Sequence, residues 1–338
     1  MKEFKNAVEL LTLCTEKNLP ISEIMRQREI ILGETTAEDV DARMARVLEI
    51  MKDAAFSPVK RPVKSMGGLI GGEAKKLSLH QTSGKSICGN LLDDAITYAM
   101  ATLETNASMG LIVASPTAGS AGIVPGLLLA VQKHYHFSDE KIQQALFNAG
   151  AIGYLAMRNA TVAGAVGGCQ AETGIAAAMA ASAATELLGG TSKQCTYAAS
   201  TVLMNMLGLV CDPVGGLVEY PCQNRNAAGV ANALVAAEMA LAGITQLIPL
   251  DEMINVMYTV GKKLPAELRE TALGGCATAP SACKSCHMSP RQAPSEPAQY
   301  PPPGRLTGYC RQWFLCCESV DRPLRMRLQP VRPWPPVL

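Results

Sequence analysis

The stretches 139–188 and 192–210 consist largely of alanine, glycine and other small residues and carry hardly any charge. Alanine has the highest helix propensity, so both stretches predict helices. Methyl groups and hydrogens cannot fill the space between distant elements. Such surfaces close only when helix axes come near and backbone meets backbone. Aromatic side chains, 4 % of the chain, are too few to do the filling instead. The expectation is a mainly α fold, an Ala/Gly-rich helical domain with connecting loops.

Two apolar segments, 162–187 and 227–248, raise the question of a membrane span. Each has polar residues inside it, Gln170 and Glu172 in one, Asn232 and Glu238 in the other. Buried helices of a soluble protein fit them better, and no membrane partner is expected. With a net charge of +1 over 338 residues, nothing points to a nucleic-acid partner either. Twelve cysteines would suit a disulfide scaffold in a small secreted chain. Here Met1 to Asn6 leads into an amphipathic helix rather than an apolar signal segment. The expectation is a cytoplasmic protein with reduced thiols.

Along the chain, residues 1–60 form an N-terminal helical segment. Residues 1–56 read as two helices, and Thr36 as N-cap with Asp39 three residues on reads as a helix start. Its charges make either a solvated face or an arm that packs on a partner. Residues 57–90 read as a loop, punctuated by Pro58, Pro62, Gly67, Gly68, Gly71 and Gly72. Gly84-Lys85-Ser86 lacks the earlier glycine of a phosphate loop, since Leu79 stands there. Helix is expected over Leu91 to Thr105. Next, Ser115-Pro116-Thr117-Ala118-Gly119-Ser120-Ala121-Gly122 gathers hydroxyls where glycine lets backbone N–H groups approach a ligand. This pattern suits a carboxylate ligand and equally an ordinary turn opening a helix at Ile123. Residues 227–261 continue the helical core, broken at Pro249. From about residue 287 to 338 the chain becomes rich in proline and arginine with no apolar period. The expectation there is a disordered tail, read either as a frameshifted or foreign translation or as an interaction tail.

Cys169, Cys211 and Cys222 each sit beside glycine or proline, where a turning backbone can aim a sulfur inward. Their spacing matches no tight zinc or ferredoxin pattern. It leaves two readings open, metal ligands or buried small hydrophobes.

The words around them resemble the alpha subunit of iron–sulfur-dependent L-serine dehydratase. Those words are Ser65-Met66-Gly67-Gly68, Asn106-Ala107-Ser108-Met109-Gly110, the Ser115 to Gly122 run and Gly168-Cys169-Gln170-Ala171-Glu172. They continue with Cys211 to Cys222, Asn224-Arg225-Asn226 and Arg269-Glu270-Thr271-Ala272-Leu273-Gly274-Gly275. They fall in the family's order and reach to about residue 286. The resemblance implies a catalytic domain over 61–286 and a [4Fe–4S] cluster on Cys169, Cys211 and Cys222, one iron staying open to substrate. It implies dehydration of L-serine to aminoacrylate and hence to pyruvate and ammonia, a place in amino-acid catabolism and gluconeogenesis, and a beta subunit in a hetero-oligomer.

Dehydration needs a weakly acidic α-proton removed and a poor leaving group expelled, which an open iron acting as Lewis acid would assist. Glu172 and Glu219 are candidates for the base or for a partner of the ligands, and Arg225 for holding the substrate carboxylate or tuning the cluster charge. Structural ion pairing is the alternative for all three. Asn106, Ser108, Ser115, Thr117 and Ser120 are the candidate substrate-binding residues. Cys283 stands at the offset from Gly274-Gly275 at which single-chain relatives place a cysteine that reaches the open iron, and is the candidate resting cap. Cys276, Cys283 and Cys286 read otherwise as loose thiols. Further alternatives are a cysteine desulfidase or other hydro-lyase, a non-catalytic iron–sulfur module, and a subunit inactivated by its altered C-terminus.

Overall fold

The computed structural model describes residues 3–285, without the side chains of 283–285. Among these residues it has thirteen α-helices and no strand. In chain order they are α1 (Ala7–Lys17), α2 (Ile21–Leu32), α3 (Ala37–Lys60), α4 (Glu73–Thr82), α5 (Gly89–Ala107), α6 (Ile123–Tyr135), α7 (Asp139–Asn159), α8 (Gly164–Gly167), α9 (Ile175–Leu187), α10 (Ser192–Asn205), α11 (Cys222–Leu241), α12 (Leu250–Lys263) and α13 (Pro280–Ser285). None is long and apolar enough to cross a membrane. The mainly α expectation holds, and the Pro/Arg-rich tail lies outside the described residues.

The centre of the fold is α9. Every residue from Ile175 to Thr185 is buried, most of them alanines. Helices α6, α7, α10 and α11 pack around it. A buried methylene contributes only about 0.8 kcal/mol, so alanine faces must gain cohesion from dense contact over a long seam. The glycines make that contact. A Cβ on Gly261 of α12 would lie 2.6 Å from the Cα of Gly167 in α8. One on Gly126 of α6 would lie 2.9 Å from both the Ala95 carbonyl and the Ala99 methyl of α5.

Three expectations change. The N-terminal 56 residues form three helices rather than two, because Asn18 turns left-handed (φ 52°) at the end of α1 and Pro20 opens α2. Thr36 does cap α3, its hydroxyl accepting from the Asp39 N–H at 3.1 Å. Within the expected loop 57–90 stands α4, which buries only Ala74 and so left no apolar period to read. The stretch 139–188 is interrupted at 160–163 and again at Gly168 (φ 74°), and the second break aims Cys169.

The N-terminal helices are tied to the core by carboxylates from distant elements. Asp251 of α12 accepts from the Ala7 and Val8 amides at the start of α1, at 2.8 and 3.2 Å. Glu104 of α5 accepts from the Ala74 amide at the start of α4, at 2.9 Å. Acidic groups at helix N-termini satisfy free N–H groups and oppose the dipole.

Candidate active site

After the left-handed Gly168, Cys169 enters a single π-helical turn, Gln170–Gly174, that leads into α9. Such turns insert one residue and rotate the side chains that follow. Gln170 fixes the turn. Its amide nitrogen donates to the Gly167 and Met257 carbonyls, both at 2.9 Å, and its oxygen accepts from the Gly208 N–H at 2.8 Å. Cys211 arrives on an extended segment paired in parallel with Arg269. The Cys211 N–H donates to the Leu268 carbonyl at 2.8 Å, and the Glu270 N–H to the Cys211 carbonyl at 2.7 Å.

These elements bring the Cys169 and Cys211 sulfurs and a Glu172 carboxylate oxygen within 4.8 Å of one another. Cys211 Sγ lies 3.8 Å from Glu172 Oε2, and Cys169 Sγ lies 3.3 Å from the Thr173 hydroxyl. Gly164 leaves the room, since a Cβ there would lie 3.0 Å from Cys211 Sγ and 2.5 Å from Glu172 Oε2. Cys222, the first residue of α11, is buried outside this closest trio. The negative charges of Cys169 and Glu172 still reach it, adding to burial in pushing its thiol up.

The charges are concentrated and little solvated. Burial, then the Cys169 and Glu270 charges, push the Glu172 carboxyl up to about 8. A hydrogen bond from Cys211 draws the Cys169 thiol down against its burial, with help from Arg225. The same bond and burial push the Cys211 thiol up. Arg225, one turn along α11 from Cys222, donates to the Val210 carbonyl at 2.9 Å and lies 2.7 Å from Asp212 Oδ1. That second contact is a close ion pair rather than an aligned hydrogen bond, because Asp212 Oδ1 has no hydrogen-bond partner.

The hydroxyl run does open α6 at Ile123, and it also borders Glu172. The Thr117 side chain lies near enough to the Glu172 carboxyl to draw it down against burial, and a Cβ on Gly119 would lie 3.7 Å from Glu172 Oε1. Thr117 Oγ1 and Ser120 Oγ are 3.0 Å apart, and Ser115 Oγ reaches the Ala121 carbonyl at 3.4 Å. Ser115 and Ser120 are buried. Asn106 and Ser108 stand apart, at the end of α5. The Ser108 hydroxyl donates to the Thr105 carbonyl at 3.0 Å, and Asn106 is half-buried. Glu219 is fully engaged. It accepts from the Ser65 hydroxyl and the Gly67 N–H, both at 2.6 Å, and from the Leu69 N–H at 3.0 Å. The side chain of Cys283 lies outside the described residues.

Four residues at the site were read only as parts of motif words. Asn226 joins the hydroxyl run to α11, accepting from the Gly122 N–H at 3.0 Å and donating to the Gly119 and Cys222 carbonyls, both at 2.8 Å. Ser65 orients Glu219. Glu270 lies close enough to raise Glu172, at a backbone φ of 65° that is uncommon outside glycine. Asp212 pairs with Arg225. Their signal was present: each is a polar residue fixed inside a Gly/Pro-rich word.

The family model for the serine dehydratase alpha chain matches residues 16–277. A probable L-serine dehydratase alpha chain of Bacillus subtilis is 49 % identical over 82 % of this chain and 92 % of its own length. The L-serine dehydratase alpha chain of Peptoniphilus asaccharolyticus is 44 % identical over 80 % of this chain and 93 % of its own. An L-serine dehydratase of Helicobacter pylori is 37 % identical over 81 % of this chain but only 61 % of its own length. The matched residues take in all three thiols, the Glu172 turn and the segment that pairs with Cys211, and the chain belongs to the serine dehydratase alpha chain family.

Proposed function

We propose that this chain is the alpha subunit of a cytoplasmic L-serine dehydratase, completed by a beta subunit, that holds a [4Fe–4S] cluster on Cys169, Cys211 and Cys222. The observation that carries the reading is the meeting of two buried sulfurs with Glu172 within 4.8 Å. The donor set fits the group. It offers soft thiols, a glycine wall at Gly164 where a side chain would intrude, and a half-buried arginine to offset thiolate charge. When bound, a cluster with one iron free of cysteine supplies a Lewis acid that eases departure of the serine hydroxyl.

The rest falls to the chain's own groups. Glu172 is the proposed proton carrier. Held up to about 8, its carboxyl exchanges a proton near neutral pH, and its ionised Oε2 accepts the α-proton of serine. Thr117 orients that carboxyl. The backbone of the 115–122 run, held by Asn226, offers N–H donors for the substrate carboxylate, with Ser115 and Ser120 shaping the turn. Asn106 and Ser108 belong to the outer wall of this substrate-binding group. Glu219 positions the Ser65–Leu69 loop rather than moving protons, because three donors occupy its oxygens. Arg225 adds its charge to the Cys211 hydrogen bond in drawing the Cys169 thiol down. Cys283 is retained as the proposed resting cap. Loss of the α-proton and the β-hydroxyl leaves aminoacrylate, which hydrolyses to pyruvate and ammonia.

The test is anaerobic co-purification with the beta subunit, followed by iron and sulfide analysis and pyruvate assays on serine, threonine and cysteine. Iron-dependent pyruvate from serine is the expected result. Turnover that survives complete removal of iron, or a cluster present with no turnover of any of the three, would overturn the reading.

A further inference from the structure

Asp212, next to Cys211, is 2 % exposed, yet it meets two other parts of the chain. Its Oδ2 accepts from the Cys276 N–H at 2.6 Å. Its Oδ1 lies 2.7 Å from Arg225 Nη2 and has no aligned hydrogen-bond partner. Gly275 makes the first contact achievable. A Cβ at that position would overlap Asp212 Oδ2, and its φ of 60° disfavours any other residue. Arg225 is held on its other side by the Val210 carbonyl and faces Cys169. The segment that begins with the Leu268–Cys211 pairing therefore ends on the same carboxylate that aims Arg225.

We propose that Asp212 is the positioning residue of the thiol site: it sets Arg225 against the Cys169 sulfur and, through the Cys276 amide, locks residues 268–276 alongside the Cys211 segment. An unpaired guanidinium on a long side chain would sample several rotamers, and the ion pair with Asp212 selects one. A charge buried at this depth is stable only if it is paired, which explains why one carboxylate serves both contacts. The two contacts use different oxygens, so they can be broken separately. Asp212→Asn keeps an oxygen for Cys276 and removes the charge facing Arg225. Gly275→Ala keeps the charge and displaces the Cys276 amide.

This inference rests on the cluster reading only where the cluster is used as a probe. The full chain would be studied with its cluster reconstituted and again metal-free. Partners of metal ligands typically change metal affinity about 10–100-fold when removed, so Asp212→Asn is expected to lose its cluster to a chelator faster by about that factor. It should also shift the electron paramagnetic resonance spectrum of the reduced cluster, and its melting temperature should fall because Arg225 loses its buried partner. Gly275→Ala is expected to accelerate amide hydrogen exchange over 268–278 and, because its methyl presses on the Asp212 side chain, to shift that spectrum less than Asp212→Asn does. If both variants match wild type within twofold in cluster loss, spectrum and exchange, the positioning role is overturned. If the wild type takes up no cluster, the cluster reading fails. The metal-free exchange in Gly275→Ala, and in Asp212→Ala where both contacts go, then decides the lock alone, unchanged exchange overturning it.

Discussion

Along Ile175–Thr185 of α9, helices meet mostly through alanine methyl groups, with no charged side chain among these buried residues. Around the thiols, chain segments meet through single polar side chains: Gln170, Glu219 and Asn226, each bonded to two or three backbone groups, and Asp212, which accepts from the Cys276 amide and pairs with Arg225. The first region is held by many weak, interchangeable contacts, the second by a few strong ones that have no substitutes. A packed seam lacks the polar groups needed for chemistry. Loops can supply those groups only if buried side chains satisfy their backbones. Here the small-residue core forms the rigid floor, and the polar side chains fasten the loops to it.

Two substitutions, one of a group at the site and one in the helix–helix packing beneath it, should have effects of different kind. Glu172→Gln retains the shape of the side chain and removes its titration. Loss of a general base costs about 10²–10⁴ in rate, so kcat with serine should fall by that order while thermal unfolding stays near wild type. An unfolding midpoint that drops together with activity would mean that this side chain holds the site rather than works in it.

Gly261→Ala should act in the opposite sense. Its methyl would press on the Gly167 backbone. Overpacking typically costs about 1–3 kcal/mol, which urea unfolding would register as a lower midpoint. A change confined to activity would show that the α8–α12 contact belongs to the site and not to the floor.

The smallest effect is expected at Glu104, where core and loops meet. It is 1 % exposed and bonded to the Ala74 amide and, at 3.3 Å, to Gln223 beside Cys222. Burial is the largest influence on its carboxyl and raises it above the ordinary value of 4.5. The folded state therefore holds this proton more tightly than the unfolded state. Stability from this group is full below the unfolded value and is lost as pH rises through the raised folded value. Glu104→Gln should flatten that part of the stability profile between mildly acidic and neutral pH. A profile identical to wild type in urea titrations would place this carboxyl in a more solvated setting.

Much of the fold was legible because its causes are local. Alanine propensity, the Thr36 cap and Pro249 before α12 all act within a turn or two of the chain. Helix α4 was missed because an element that buries one alanine has no period to detect. The Asn18 break was missed because a left-handed asparagine carries no further signal. At the site, the motif words contain Cys169, Cys211 and Glu172, which the fold brings within 4.8 Å of one another.

The sequence by itself determined a helical protein, the membership of the thiols in one family pattern, and the glycines that permit close packing, since each depends on residue type and near neighbours. Tertiary structure alone decided the division of labour among the carboxylates. Glu172, Glu219, Asp212 and Glu270 are chemically equivalent as letters. They differ because one is desolvated beside Cys169, one is saturated by three donors, one is paired with Arg225 and one is aimed by a left-handed backbone. Burial and partners are set by segments up to 154 residues away in the chain, as Ser65 is from Glu219, and no local pattern encodes them.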